Sequence, residues 1–184
     1  MSSLRTAFAV FLSLACGAGL LGRNDLSRFF TIHPVWVQKD LSWEQDPGDK
    51  QQKFANGSSL YFGSKGDFGS FRGTLVKQGA RLGLAEGEGE IVYAGTWKVT
   101  DATTLAVDYR LVGAYKLVRP KGEDPLEIPG PIRHAEIHLG PKPLTSIEFD
   151  GTKFEATSAI KTSELKEHLQ LYAPADNGKH AGPK

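Results

Sequence analysis

The stretch from Tyr93 to Tyr109, YAGTWKVTDATTLAVDY, constrains the fold of this chain more than any other. Ile91, Tyr93, Gly95, Trp97 and Val99 alternate with Val92, Ala94, Thr96 and Lys98. That period of two belongs to an extended strand and not to a helix. Beyond a polar turn, Leu105, Val107, Tyr109 and Leu111 share one side, with Asp108 and Arg110 on the other. Two strands hinged in this way must cover their large, partly aromatic side, so that side is expected to face inward.

The same grammar recurs along the chain. Short runs rich in glycine, threonine, aromatic and branched aliphatic residues alternate with turn residues, an all-β signature. Strands are expected near residues 30–38, 59–62, 69–77, 90–99, 104–112, 114–118, 133–139, 146–149 and 153–157. Phe149-Asp150-Gly151-Thr152 reads as a two-residue hairpin turn, since Asp-Gly tolerates the positive φ angles required there. Residues 119–131, RPKGEDPLEIPGP, are too rich in proline to pair as a central strand and read as an extended loop. Thr162 and Ser163 precede Leu165, Leu169 and Tyr172 at helical spacing, a short amphipathic helix that docks on the sheet. Residues 173–184 are polar and turn-rich and read as a flexible tail. The expected fold is therefore an antiparallel meander closing into a barrel with a short C-terminal helix, with a β-sandwich as the alternative.

Gly95-Thr96-Trp97 resembles the Gly-x-Trp of lipocalins. Gly69-Ser-Phe-Arg-Gly-Thr-Leu75 followed by the hairpin is similar to the Gly-Thr units of bacterial exported lipocalin-like barrels. The resemblance spans about residues 59–118 and implies a lipocalin-like barrel. In lipocalins the tripeptide lies on the first barrel strand, whereas here at least two candidate strands precede it. The resemblance therefore implies the architecture and carries over no ligand site.

The N-terminus has a separate logic. Arg5 supplies a positive head, residues 6–15 form an apolar or small-residue run, and Cys16-Gly-Ala-Gly19 ends it with small residues. This is the pattern of a secretory signal peptide over residues 1–19. A retained anchor is the alternative, because residues 6–22 approach the ~20 that a membrane helix needs. Cys16, the sole cysteine, stands where a bacterial lipoprotein carries its lipid. With the peptide removed no thiol remains, which excludes a disulfide scaffold and thiol catalysis. Residues 20–172 then form a single barrel domain in an exported protein, periplasmic, envelope-associated or extracellular. A net charge of +1 with 23% charged residues leaves no basic stripe for a nucleic-acid backbone. Membrane contact is expected only through the signal peptide or a lipid anchor.

Four groups of residues could carry chemistry. Trp97 with Tyr93, Tyr109 and Tyr115 could line a pocket for an apolar small molecule or an envelope component, or could simply be core. In Arg133-His-Ala-Glu-Ile-His-Leu139, His134, Glu136 and His138 fall on one face of a strand as candidate metal ligands. The outer two are too far apart to share an ion without a ligand from a neighbouring strand, and the bland reading is a solvent-facing strip. Asp108 and Arg110 could form an exposed ion pair. Ala85-Glu-Gly-Glu-Gly-Glu90 alternates carboxylates with glycine but lacks the spacing of a calcium loop. There is no Gly-x-Ser-x-Gly and no glycine-rich loop before a helix, so no cofactor and no serine nucleophile are implied. The expectation is a binding barrel. The alternatives are an interaction protein with a filled barrel and a metal-dependent enzyme on the His134 strand.

Overall fold

The computed structural model describes residues 23–85, 90–115, 126–140 and 144–172. The expected signal segment with Cys16, the expected C-terminal tail, the glycine-glutamate stretch at 86–89 and most of the proline-rich loop lie outside these residues. The described residues begin with helix α1 (Arg23–Ile32), followed by β1 (Val35–Gln38), β2 (Glu44–Gln45), β3 (Gln52–Phe62), β4 (Asp67–Gln78) and β5 (Arg81–Leu84). It continues through β6 (Glu90–Val99), β7 (Thr104–Tyr115), β8 (Arg133–His138), β9 (Ser146–Phe149) and β10 (Thr152–Ala156) to helix α2 (Thr162–Tyr172).

Eight of the strands run in the order β8-β7-β6-β4-β3-β1-β10-β9, every pairing antiparallel. The two end strands, β8 and β9, lie side by side without joining the ladder, so the barrel is nearly closed. The meander and its C-terminal helix are those expected from the sequence. The β3–β4 hairpin is longer than the barrel wall. Its outer half carries β2 on one edge, at Glu44↔Phe54, and β5 on the other, from Leu75↔Leu84 to Gln78↔Arg81.

Both faces of the sheet are covered. Inside the barrel lie Trp36, Leu60, Phe62, Phe68, Trp97, Val107, Ile137 and Phe154, joined by Leu26 and Phe30 of α1. Outside, Val35, Val37, Tyr61, Phe71, Leu75, Val92 and Val112 pack beneath Ile160 and Leu165. Gly69 lets α2 approach: a Cβ there would stand 2.8 Å from Leu169.

Two expectations need correction. Residues 30–32 do not open a strand; they end α1. Leu26, Phe29, Phe30 and His33 recur on one helical face, and Pro34 stops the helix, so the aromatic run that suggests a strand is instead a plug. Phe30 stacks on Trp36 at 5.4 Å and meets Phe62 at 4.9 Å. Residues 104–112 and 114–118 are not two strands, for β7 runs unbroken through Tyr115. The register passes from Val92↔Gly113 to Tyr93↔Leu111, leaving Val112 as an extra residue in a β-bulge. The bulge turns Val112 to the outer core while Leu111 stays buried on the inner side.

Gly95 has a steric origin. A Cβ on it would stand 1.8 Å from the Asp108 carbonyl oxygen and 2.7 Å from the Tyr109 Cα, both backbone atoms of β7. Alanine at 95 must therefore push two central strands apart and is expected to cost about 3 kcal/mol or more. Gly140, whose Cβ would meet nothing within 4 Å, is the control and should shift stability by less than about 0.5 kcal/mol as alanine. Denaturant midpoints of Gly95→Ala and Gly140→Ala check this; equal midpoints would contradict the close approach.

Candidate functional site

The barrel interior is threaded by aromatic rings in contact. From the α1 end, Phe62 meets Trp97 edge-on at 5.6 Å and Phe68 at 5.4 Å. Phe68 reaches Tyr109 at 6.0 Å, and Tyr109 touches Phe149 at 5.4 Å and Tyr93 at 5.7 Å. The guanidinium of Arg133 then lies over the Tyr93 ring at 5.7 Å, a cation–π contact. Of the pocket residues expected from the sequence, Trp97 is buried in this column, and Tyr93 and Tyr109 form a half-buried pair at its far end. Tyr115 is not with them: it stands opposite Glu90 on the outer side and is 40% exposed.

Trp97 does more than fill space. Its indole Nε1–H donates to the Gly63 carbonyl at 2.9 Å, and its backbone N–H donates to the Gly66 carbonyl at 2.8 Å. Gly66, at φ 85°, lets the chain turn back between β3 and β4. One residue of β6 thus fixes the conformation of the β3–β4 turn.

The metal strip is placed as the alternation implies. His134, Glu136 and His138 stand on the outer, exposed face of β8, opposite Asp108, Ala106 and Thr104. They divide into pairs: His134 Nδ1 meets Asp108 Oδ1 at 2.6 Å, and His138 Nε2 lies 3.7 Å from Glu136 Oε2. Asp108 is therefore engaged by a histidine rather than by Arg110. Among the described residues no group of three or more histidine, cysteine or carboxylate side chains is placed to hold a metal ion.

A third arrangement, which sequence reasoning missed, lies under α2. His168 Nε2 meets Glu90 Oε1, with the two residues only 9% and 6% exposed, and the His168 ring packs on Phe71 at 5.5 Å. Glu164 accepts from the Leu84 N–H at 3.2 Å. These polar contacts fix α2 over the outer core, and two clefts open beside it. One, of about 760 Å³, lies between the end of α1 and the start of α2, lined by Ile32, His33, Lys161 and Ser163 among others. The other, of about 420 Å³, lies between the β3–β4 turn and the middle of α2.

The fold and these surfaces define a nearly closed antiparallel barrel, ring-filled within and flanked by helix-lined clefts without. No protein-family model, curated protein or solved structure matches the chain.

Two outcomes follow from this geometry. Trp97→Phe keeps a ring but removes one of the two donors to the Gly63 carbonyl, the other being the Gly66 N–H at 3.0 Å, so it should cost about 0.5–1.5 kcal/mol in chemical denaturation. An unchanged midpoint would mean that the indole N–H does not hold the turn. The Tyr109 phenol has its pKa raised above the ordinary value of 10.0, chiefly by burial and also by Asp150, with Arg133 acting in the opposite sense. The folded state therefore holds this proton more tightly than the unfolded chain. Its contribution is complete below the unfolded pKa and is lost as pH climbs through the folded value. Tyr109→Phe should accordingly lose less stability than wild type between about pH 8 and about pH 11, measured as denaturant midpoints.

Proposed function

We propose that the protein is an exported or envelope-associated barrel that works as an interaction module, its lumen filled by its own side chains and its partner met on the outer surface. The observation that carries this reading is the continuous column of rings from Phe30 through Trp97 and Phe68 to Tyr109, which occupies the space a lumenal ligand would need. Export rests on the N-terminal segment, with its single arginine, apolar run and small-residue end. Kinship with lipocalin-like barrels belongs to the same proposal, supported by Gly95-Thr96-Trp97 and the meander.

A second reading keeps an apolar ligand, held at the Tyr93–Tyr109 end. It is favoured by the half-buried tyrosine pair beside Arg133, which could seat an apolar chain on the rings and an anionic head on the guanidinium.

Titration with a solvatochromic apolar dye such as N-phenylnaphthylamine separates the two. A filled barrel should give no saturable fluorescence rise, whereas a saturable rise lost in Tyr109→Ala would favour the second reading. For export, intact-mass measurement of protein from its source should find the first fifteen to nineteen or so residues removed. Full-length protein recovered from the cytoplasm would overturn that part.

A further inference from the structure

We propose that the cleft of about 420 Å³ between the β3–β4 turn and α2 binds a small amino-carboxylate, a molecule bearing a carboxylate and an ammonium on a short apolar body. Its volume falls within the usual range for small-molecule sites, roughly 300–1,000 Å³. The site is independent of export and of whatever the rest of the barrel contacts.

The first observation is Tyr61. It is only 1% exposed, it lines the cleft, and among the described residues its hydroxyl has no hydrogen-bond partner. Ser59 Oγ, and not the Tyr61 hydroxyl, is the buried side-chain oxygen without a partner among the described residues; the hydroxyl is the accessible tip of an otherwise enclosed ring, and it opens on the cleft where an entering group can pair with it. The second is Gly63. A Cβ on this glycine would stand 2.9 Å from the Tyr61 hydroxyl and 3.1 Å from Asp67 Oδ2. The bare backbone at 63 is thus what lets a hydroxyl and a carboxylate close on the same point of the turn. The third is charge. Lys65 on the turn and Lys166 on α2 line the cleft from two separate elements, and neither makes an ion pair among the described residues.

These groups divide the cleft by chemistry. Lys65, Lys166 and the Tyr61 hydroxyl offer donors to a carboxylate, while Asp67 accepts from an ammonium. Leu169 and Ala94 provide an apolar wall for the body of the ligand. The turn is held in advance: Gly63 N–H donates to the Asp67 carbonyl at 2.7 Å, and the Trp97 hydrogen bonds fix the carbonyls of Gly63 and Gly66. A wall ordered before binding reduces the conformational entropy that a ligand must otherwise overcome.

The test is a nitrogen-edited NMR titration of the full chain with three probes: L-leucine, isocaproate, which lacks the ammonium, and isopentylamine, which lacks the carboxylate. L-leucine should shift the amides of Gly63, Ser64, Lys65, Gly66 and Gln170 saturably, and removal of either charged group should weaken binding by about tenfold or more. Tyr61→Phe, which keeps the ring, should weaken L-leucine about fivefold. Lys65→Gln combined with Lys166→Gln, both on the surface and so compatible with folding, should weaken it about tenfold. Absence of a saturable shift with L-leucine would overturn the proposal, as would a shift unaffected by the lysine pair. Isocaproate binding as tightly as L-leucine would overturn the role given to Asp67.

Discussion

Much of this molecule depends on the placement of one indole. Gly95 brings β6 against the β7 backbone, and two residues on, Trp97 enters the barrel among Phe30 and Phe62. Its two N–H groups leave that apolar setting for the carbonyls of Gly63 and Gly66. Packing and hydrogen bonding therefore act through the same side chain: burial orients the ring, and the oriented ring dictates the path of a turn belonging to another hairpin. A phenylalanine in this position would satisfy the first demand and not the second.

The sheet is the middle layer of the structure and not its skin. Rings fill one side, aliphatic and aromatic groups under α2 fill the other, and the helix is kept in place by polar contacts as well as by Leu165 and Leu169. Glu90 and His168 satisfy each other where neither is well solvated, which gives α2 one defined seat on an otherwise adaptable apolar surface. Both clefts owe their walls to that seat, since α2 contributes its first turn to one and its middle turns to the other.

What the sequence made legible is governed by how local the determining forces are. The limits of β6, β9 and α2 are evident from alternation, from Asp150-Gly151 and from the Leu165–Leu169 spacing, all of which act within a few residues. Helix α1 was not, because Phe29 to Val37 contains the aromatic and β-branched residues of a strand; only the stripe from Leu26 to His33 and the break at Pro34 betray it. The outer core had a signal that alternation obscures: Val35-Trp36-Val37 and Leu60-Tyr61-Phe62 are apolar without interruption, as strands covered on both faces should be. The small cleft could not be read at all. Tyr61, Lys65, Asp67 and Lys166 meet only once the turn and α2 are in place, and Tyr61 looks from sequence like any core aromatic.

The seam between β8 and β9 has a mechanical consequence. A tube whose wall is continuous resists torsion, whereas the same tube slit along its length twists readily, because shear is no longer carried around the circumference. Here the hydrogen-bonded wall runs from β8 round to β9 and stops, and the strand flanking the slit on one side is the one that bears Arg133. Torsional compliance therefore belongs to the seam along the whole of β8, whose Arg133 end lies beside the Tyr93–Tyr109 pair, while the β3–β4 hairpin stands three strands in from either edge of the wall.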